Sequence, residues 1–146
     1  MVEKTGTTTD EVNQAVDALI AEKVDAIFTP TDNTIQKAEL SFYEKLQKAK
    51  IPHYGGADSF ALNGAFAGYG VDYVQLGKAT ADMVDEVLHG GKETATLPVQ
   101  TFDNGIATVN TDTAEKLGFS MDELKEVFKP YCTKVEEIKT NQEFAK

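Results

Sequence analysis

Three short polar runs hold the residue types that could recognise a small charged molecule: Thr31-Asp32-Asn33-Thr34, Gly55-Gly56-Ala57-Asp58-Ser59 and Gly70-Val71-Asp72-Tyr73. Carboxylates at Asp32 and Asp58 could hold Mg²⁺ or accept a phosphoryl group, while hydroxyls and unpaired backbone N–H groups suit an anion. Each run also has a plainer reading. Asp32, Asn33 and Asp72 are good helix N-caps whatever the protein does, and Gly55-Gly56 makes a tight turn unaided. Other catalytic constellations are scarce. His53 and His89 lie far apart, no His/Cys/carboxylate cluster has metal-ligand spacing, and Cys132 has no His near it in sequence. No phosphate-binding G-x-x-x-x-G-K-[ST] loop occurs, and Gly68-Tyr69-Gly70 meets Tyr73 where a dinucleotide fingerprint needs a third Gly. Ser41 and Ser59 lack the Gly-x-Ser-x-Gly elbow of a hydroxyl nucleophile. No catalysis, cofactor or metal is therefore expected, with the Asp32/Asp58 pair kept as an enzyme-like alternative.

The elements that must position these runs follow from apolar spacing. Val12, Ala15, Val16, Leu19 and Ile20 form one helical stripe, which predicts a helix near residues 10 to 22 with Thr9 or Asp10 as its cap. Val24 to Thr29 is a β-prone run closed by Pro30, and Ile35, Ala38, Phe42, Leu46 and Ala49 resume helical spacing. Ile51 to Tyr54 reads as a second strand with Pro52 at its start, followed by a loop carrying Asp58 and Ser59. Ala65 to Val71 reads as a third strand. Asp72 then caps a helix with the stripe Val74, Gly77, Ala81, Val84 and Leu88, ended by His89-Gly90-Gly91.

Further on, Pro98 to Phe102 and Ile106 to Val109 flank an Asp103-Asn104-Gly105 turn signal, which fits a hairpin or a pair of chain crossings. Thr113 to Leu117 is a short helix closed by Gly118, and Ser120 to Glu123 is a capping box for one more helix stopped by Pro130. The last sixteen residues are polar and weakly patterned. Strand and helix alternate through the first 90 residues, so the expected class is α/β, a three-layer parallel sheet with helices on both faces. In such sheets ligands bind where strands end and helices begin. Parallel strands would put all three polar runs on one rim.

The composition narrows the partners. With 146 residues and 41% apolar content the chain is long enough for one domain with a real core. A net charge of −10 and no Arg argue against nucleic acid, since phosphate backbones are held by cations. Without Arg, any bound anion must rely on N–H groups, helix ends, hydroxyls or Lys. No apolar run approaches the roughly 20 residues of a membrane-crossing helix, and Met1-Val2-Glu3-Lys4 shows no export signal.

Taken in order, Val24 to Thr34, Lys50-Ile51-Pro52, Gly70 to Gly77, Val109-Asn110 and Ala114 to Gly118 resemble the substrate-binding proteins of ABC transporters, closest to the branch associated with tryptophan or tyrosine uptake. The resemblance covers about Val2 to Phe119. It implies a type I periplasmic-binding-protein fold, of which this chain is the C-terminal part, residues 1 to 128, with hinge crossings near 98 to 110 and a polar tail from 129 to 146. The helix near 73 to 89 would stay in this lobe.

The first lobe, a signal peptide and a lipid-carrying Cys would belong to a longer parent, extracellular as a cell-surface lipoprotein or periplasmic, working with a membrane permease. The implied ligand is a small solute, an aromatic or other amino acid, and the implied site is Thr31, Asp32, Asn33, Thr34, Gly56, Asp58, Ser59 and Tyr69. For a zwitterion, Asp32 or Asp58 would meet the ammonium and the groups at Thr34 or Ser59 the carboxylate. Tyr54, Phe60, Tyr69 and Tyr73 are the candidates for an aromatic face. The isolated lobe could pair as a homodimer over surface that the first lobe would cover. A second class with the same fold and ligand logic is the effector domain of a transcription regulator.

Overall fold

A computed structural model of the chain describes residues 1–101 and 105–141. Its elements are α1 (Thr9–Ala21), β1 (Ile27–Thr29), α2 (Asn33–Ala49), β2 (His53–Gly55), α3 (Asp58–Leu62), β3 (Ala67–Gly70), α4 (Tyr73–Leu88), β4 (Gly105–Asn110), α5 (Thr111–Leu117), α6 (Met121–Phe128) and β5 (Cys132–Ile138). The α/β class expected from the alternating periods is the class observed.

The five strands lie side by side in chain order. β1, β2 and β3 run parallel, with Ile27 beside His53 and Tyr54 beside Ala67. β4 runs antiparallel to β3, with Gly70 beside Ile106, and β5 is parallel to β4. The sheet is therefore mixed, which corrects the expectation of a parallel one. Its cause is the long connection from residue 71 to 104. That segment leaves the sheet at the end of β3 and returns beside the point of departure, so the next strand must run backwards.

Side-chain alternation assigns two faces to the sheet. On one, Ile27 packs with Val12 and Val16 of α1 and with Ala38, Phe42 and Leu46 of α2. On the other, Ala67 and Val109 pack with Phe66, Ala114 of α5 and Leu124 of α6, flanked by Tyr54, Phe128 and Val135. Phe66 is an aromatic hub, edge-on to Tyr54 at 5.4 Å and tilted against Phe119 at 5.1 Å and Phe128 at 6.5 Å. A third cluster, Ala57, Phe60 and Ala65, seats α3. Burying a side chain the size of Phe42, Phe60 or Phe66 contributes about 1.5–3 kcal/mol, so these rings fix the relative positions of helices and sheet.

Local chemistry explains several differences from the sequence reading. α1 begins one residue early because Thr8, not Thr9 or Asp10, forms a reciprocal capping box with Glu11. Asp58 and Ser59 open the short helix α3 where a loop was expected. Ser120 precedes α6 without a side-chain cap bond, so the Ser120–Glu123 capping box does not form. Residues 98–101 carry no strand and β4 is flanked by β3 and β5, so no hairpin joins those two runs among the described residues. Phe102, Asp103 and Asn104 of the expected turn lie outside the described residues.

The segment expected as a polar tail supplies β5, whose Val135 faces the second core while Thr133 and Glu136 remain exposed or half-exposed. A half-buried edge strand carries too few apolar residues to stand out in sequence. α4 differs most from its neighbours. It has a clear apolar stripe, yet none of its residues is buried, and Val74, Val84 and Leu88 are 66%, 50% and 70% exposed. No helix among the described residues is long and apolar enough to cross a membrane.

Candidate functional site

Because β1, β2 and β3 are parallel, their carboxyl ends open onto one edge. Thr29 ends β1, Gly55 ends β2 and Gly70 ends β3. The two loops that carry most of the expected site are joined there directly. The Gly56 N–H donates to the Thr29 carbonyl at 3.0 Å, and the Thr31 hydroxyl donates to the Gly56 carbonyl at 2.8 Å. Gly56 has no room for a side chain: a Cβ there would lie 2.8 Å from both the amide nitrogen and the hydroxyl of Thr31. Gly68 is equally constrained, since its Cβ would meet the Ala57 carbonyl oxygen at 2.1 Å. These glycines let two loops and the start of α3 crowd onto the strand ends.

Asp32 is exposed and caps α2. Its Oδ1 accepts from the N–H groups of Thr34 at 2.8 Å and Ile35 at 3.0 Å. Asn33 and half-buried Thr34 form the first turn behind it. Asp58 is exposed at the first position of α3, and its Oδ1 accepts from the Ser59 N–H at 2.8 Å. Asp72 caps α4 in the same way as Asp32 caps α2, through Val74 and Gln75. All three carboxylates therefore do local backbone work, as their plainer reading requires, and each leaves its second oxygen free of those cap bonds. Among the described residues no group of three or more His, Cys, Asp or Glu side chains could hold a metal ion.

Tyr69 sits at the same edge but is sent by alternation to the opposite face from Gly68. Its hydroxyl accepts from the Gly105 N–H at 2.7 Å and donates to the Tyr131 carbonyl at 3.1 Å, pinning together the rim ends of β3, β4 and β5. Tyr69 is 44% exposed. Of the other aromatic candidates, Phe60 is fully buried in the core, Tyr54 is half-buried against Phe66, and Tyr73 is 64% exposed at the start of α4.

One polar group beneath the rim escaped the sequence reading. Glu39 of α2 and His53 of β2 are 0% and 2% exposed, with Glu39 Oε1 2.8 Å from His53 Nδ1. The other ring nitrogen, Nε2, lies 2.8 Å from the hydroxyl of Thr29. Phe42 and Phe60 flank the imidazole at 5.7 and 6.0 Å. Burial pushes the Glu39 carboxyl above the usual carboxylate range, and His53 beside it pulls part of the way back. The signal for this pair was a charged residue on an apolar stripe, since Glu39 sits between Ala38 and Phe42 on the buried face of α2.

The fold and rim define a class: an α/β unit whose strand ends and helix starts form an open wall. Comparison with known proteins gives it a family. Residues 1–129 match the family model described as ABC transporter substrate binding protein, and the chain belongs to that family. It is 35% identical over 117 residues to a tyrosine-binding protein of Clostridioides difficile, a match covering 80% of this chain and 33% of that protein. Among solved structures it resembles the ligand-free, open form of a substrate-binding protein with adhesive properties from Clostridium difficile. There the TM-score is 0.76 at 29% identity, with 96% of this chain and 44% of that one covered. It also resembles an ABC domain in complex with L-Trp from Streptococcus pneumonia, with a TM-score of 0.67 at 31% identity over 89% of this chain and 42% of the other. The chain thus spans about a third of its curated relative and less than half of these solved neighbours.

Proposed function

We propose that the chain is one lobe of the solute-binding component of an ABC importer, and that its rim grips an aromatic amino acid without altering it. The observation that carries this reading is the junction of the Thr31–Thr34 and Gly56–Ser59 loops at the shared edge of three parallel strands, tied by the Thr31–Gly56 hydrogen bond. The relative named for tyrosine and the neighbour solved with L-Trp support the choice of ligand. Asp32 and Asp58 receive the ammonium through the carboxylate oxygens not bonded to the neighbouring N–H groups. Thr31, Asn33, Thr34 and Ser59, with the N–H groups around Gly56, receive the carboxylate, a division suited to a chain without Arg. Tyr69 offers its exposed ring edge to the ligand's side chain.

A second lobe closes over this wall, and the ligand's contacts with both lobes shift an open form towards a closed one. The segment from residue 71 to 104 supports that reading. It leaves and re-enters at the rim, and its helix α4 carries an apolar stripe that nothing among the described residues covers. In the full-length protein that stripe packs on the second lobe, which moves the hinge crossings to both ends of this segment. The closed protein hands its ligand to a membrane permease, and its place is the cell surface or periplasm.

Calorimetric titration of L-tyrosine and L-tryptophan tests the reading, on the chain alone and joined to a complementing lobe. The two-lobed form binds one of them, the chain alone binds weakly, and Asp32→Asn or Asp58→Asn lowers the affinity. Unchanged titrations in both variants would remove these residues from the site. Absence of binding by either amino acid would remove the ligand class.

A further inference from the structure

We propose, on the reading of the rim given above, that the buried Glu39–His53 pair is a positioning relay for it. Through Thr29, the number of protons held by the pair sets how the Thr29–Asn33 and Gly55–Asp58 loops sit, and so makes ligand capture respond to pH. The chain of contacts is unbroken. Glu39 Oε1 meets His53 Nδ1 at 2.8 Å, His53 Nε2 meets the Thr29 hydroxyl at 2.8 Å, and the Thr29 carbonyl accepts the Gly56 N–H at 3.0 Å. From Gly56 the Thr31 hydroxyl closes the loop at 2.8 Å, one residue before the Asp32 cap. Gly56 is packed directly on Thr31, where a Cβ would lie 2.8 Å from both the amide nitrogen and the hydroxyl, so the two loops are in close contact at this point.

Stability alone does not account for the pair. A buried ion pair is commonly matched or bettered by apolar residues of similar size, and Glu39 Oε2 has no hydrogen-bond partner among the described residues. The pair can hold different numbers of protons. With one proton between them the two groups are neutral overall in either arrangement. Removing it leaves a buried anion, and adding a second leaves a buried cation with a weakened Glu39 acceptor.

Among the described residues, Glu39 and His53 are the ionisable side chains inside this space. β1 presents Ile27 and Thr29, α2 presents Phe42, α3 presents Phe60, and Tyr54 of β2 points to the other face. The charged groups on the elements packed around it lie outside. Lys37, Glu44 and Lys48 of α2 and Asp58 of α3 are exposed, as is the Asp32 cap, and Lys45 is paired with Asp17 of α1 at the surface.

The test is an amide and imidazole NMR titration of the 146-residue chain from about pH 5 to 8. The amide signals of Thr31, Asp32, Asn33 and Gly56 move with one apparent midpoint shared with the His53 ring. Glu39→Gln displaces that midpoint for ring and amides together. Thr29→Val, close in shape and without the hydroxyl, leaves the ring titrating while the amides become flat. Because it spares both members of the pair, this variant decides the matter even where Glu39→Gln does not fold. Flat rim amides in the native chain overturn the relay, as do amides that still follow the ring in Thr29→Val. No ligand is needed for this readout. Flat amides with intact L-tyrosine binding sink the relay alone, whereas moving amides without binding of either amino acid sink the ligand reading and the link to capture with it.

Discussion

Asp32 has two claims on it, and a pair of substitutions separates them. As the cap of α2 its Oδ1 satisfies two of the four N–H groups that every helix start leaves unpaired, at 2.8 and 3.0 Å. Asp32→Ala removes both bonds and costs about 1 kcal/mol of folding stability, within a range of roughly 0.5–2. For a chain of this size that lowers the melting temperature by about 2–5 °C. Asp32→Asn keeps an oxygen acceptor in a residue that caps equally well. It loses only the attraction between a carboxylate and the positive helix end, about 0.3–1 kcal/mol at an exposed position.

For the ligand the ranking changes. A charge-assisted bond to an ammonium contributes about 1.5–3 kcal/mol, so both substitutions lower affinity by roughly 10- to 100-fold. Urea unfolding followed by circular dichroism gives the first quantity, and calorimetry on the two-lobed form gives the second. The expected pattern is a variant, Asp32→Asn, that folds nearly as well as the parent and binds far worse. Equal affinity in Asp32→Asn and the parent would leave Asp32 as a cap and nothing more. An Asp32→Ala chain as stable as the parent would refute the capping account itself.

Gly68→Ala drives a methyl group into the Ala57 carbonyl at 2.1 Å, a backbone atom that cannot rotate away, and lowers the urea midpoint by the equivalent of about 1–3 kcal/mol; an unchanged midpoint would mean that α3 sits elsewhere. Leu46→Ala opens a cavity between α2 and its core and costs about 2–5 kcal/mol by the same measurement. For Glu39 the fold raises the carboxyl pKa, so the protonated form is the one folding prefers; this group's contribution is complete below the ordinary carboxylate range and is lost as the pH rises through the raised value. The stability of the parent relative to Glu39→Gln therefore declines as the pH rises above the ordinary carboxylate range, and a difference in denaturation curves that stays constant with pH would contradict the burial of an ionisable Glu39. The isolated chain pairs with itself through the uncovered stripe of α4, and Val84→Glu with Leu88→Glu returns it to a monomer in sedimentation; a parent that is monomeric throughout would show that the stripe is not adhesive by itself.

The sequence carried its information unevenly, and particular residues show why. Periodicity placed α1, α2 and α4 within a few residues, because thirteen to seventeen residues with repeated apolar spacing leave little ambiguity. Cap chemistry was equally legible at Asp32, Asp72 and Gly118, where the residue type and the observed backbone agree. The orientation of β4 was not legible, because strand direction depends on where a connection returns and no residue type encodes that. β5 was missed because an edge strand reads Cys-Thr-Lys-Val-Glu-Glu-Ile, with its apolar residues diluted by the charges that protect an open edge. At the rim, the loops could be placed from the strand ends alone, whereas Glu39 and His53 are fourteen residues apart and meet only because α2 folds back over β2.

The antiparallel strand is the feature that bears most directly on how the lobe works. In a sheet wound only by parallel crossovers, every connection passes over a face and the carboxyl edge holds loops alone. Here β3 runs up to that edge and β4 starts from it, with Gly70 paired to Ile106, so the chain departs and returns at the wall proposed to meet the ligand. Tyr69 holds the two points together and adds β5, since its one hydroxyl joins the Gly105 amide to the Tyr131 carbonyl. β3 is itself tightly seated, since Gly68 has no clearance from the start of α3. Tyr69→Phe removes that tie while keeping the ring and its packing. Its expected effect is a small loss of stability, about 0.5–1.5 kcal/mol for one hydrogen-bonding hydroxyl, with faster exchange of the Gly105 amide in the native state. An amide at Gly105 protected as strongly in Tyr69→Phe as in the parent would show that the ladder of β4 holds that end without the tyrosine.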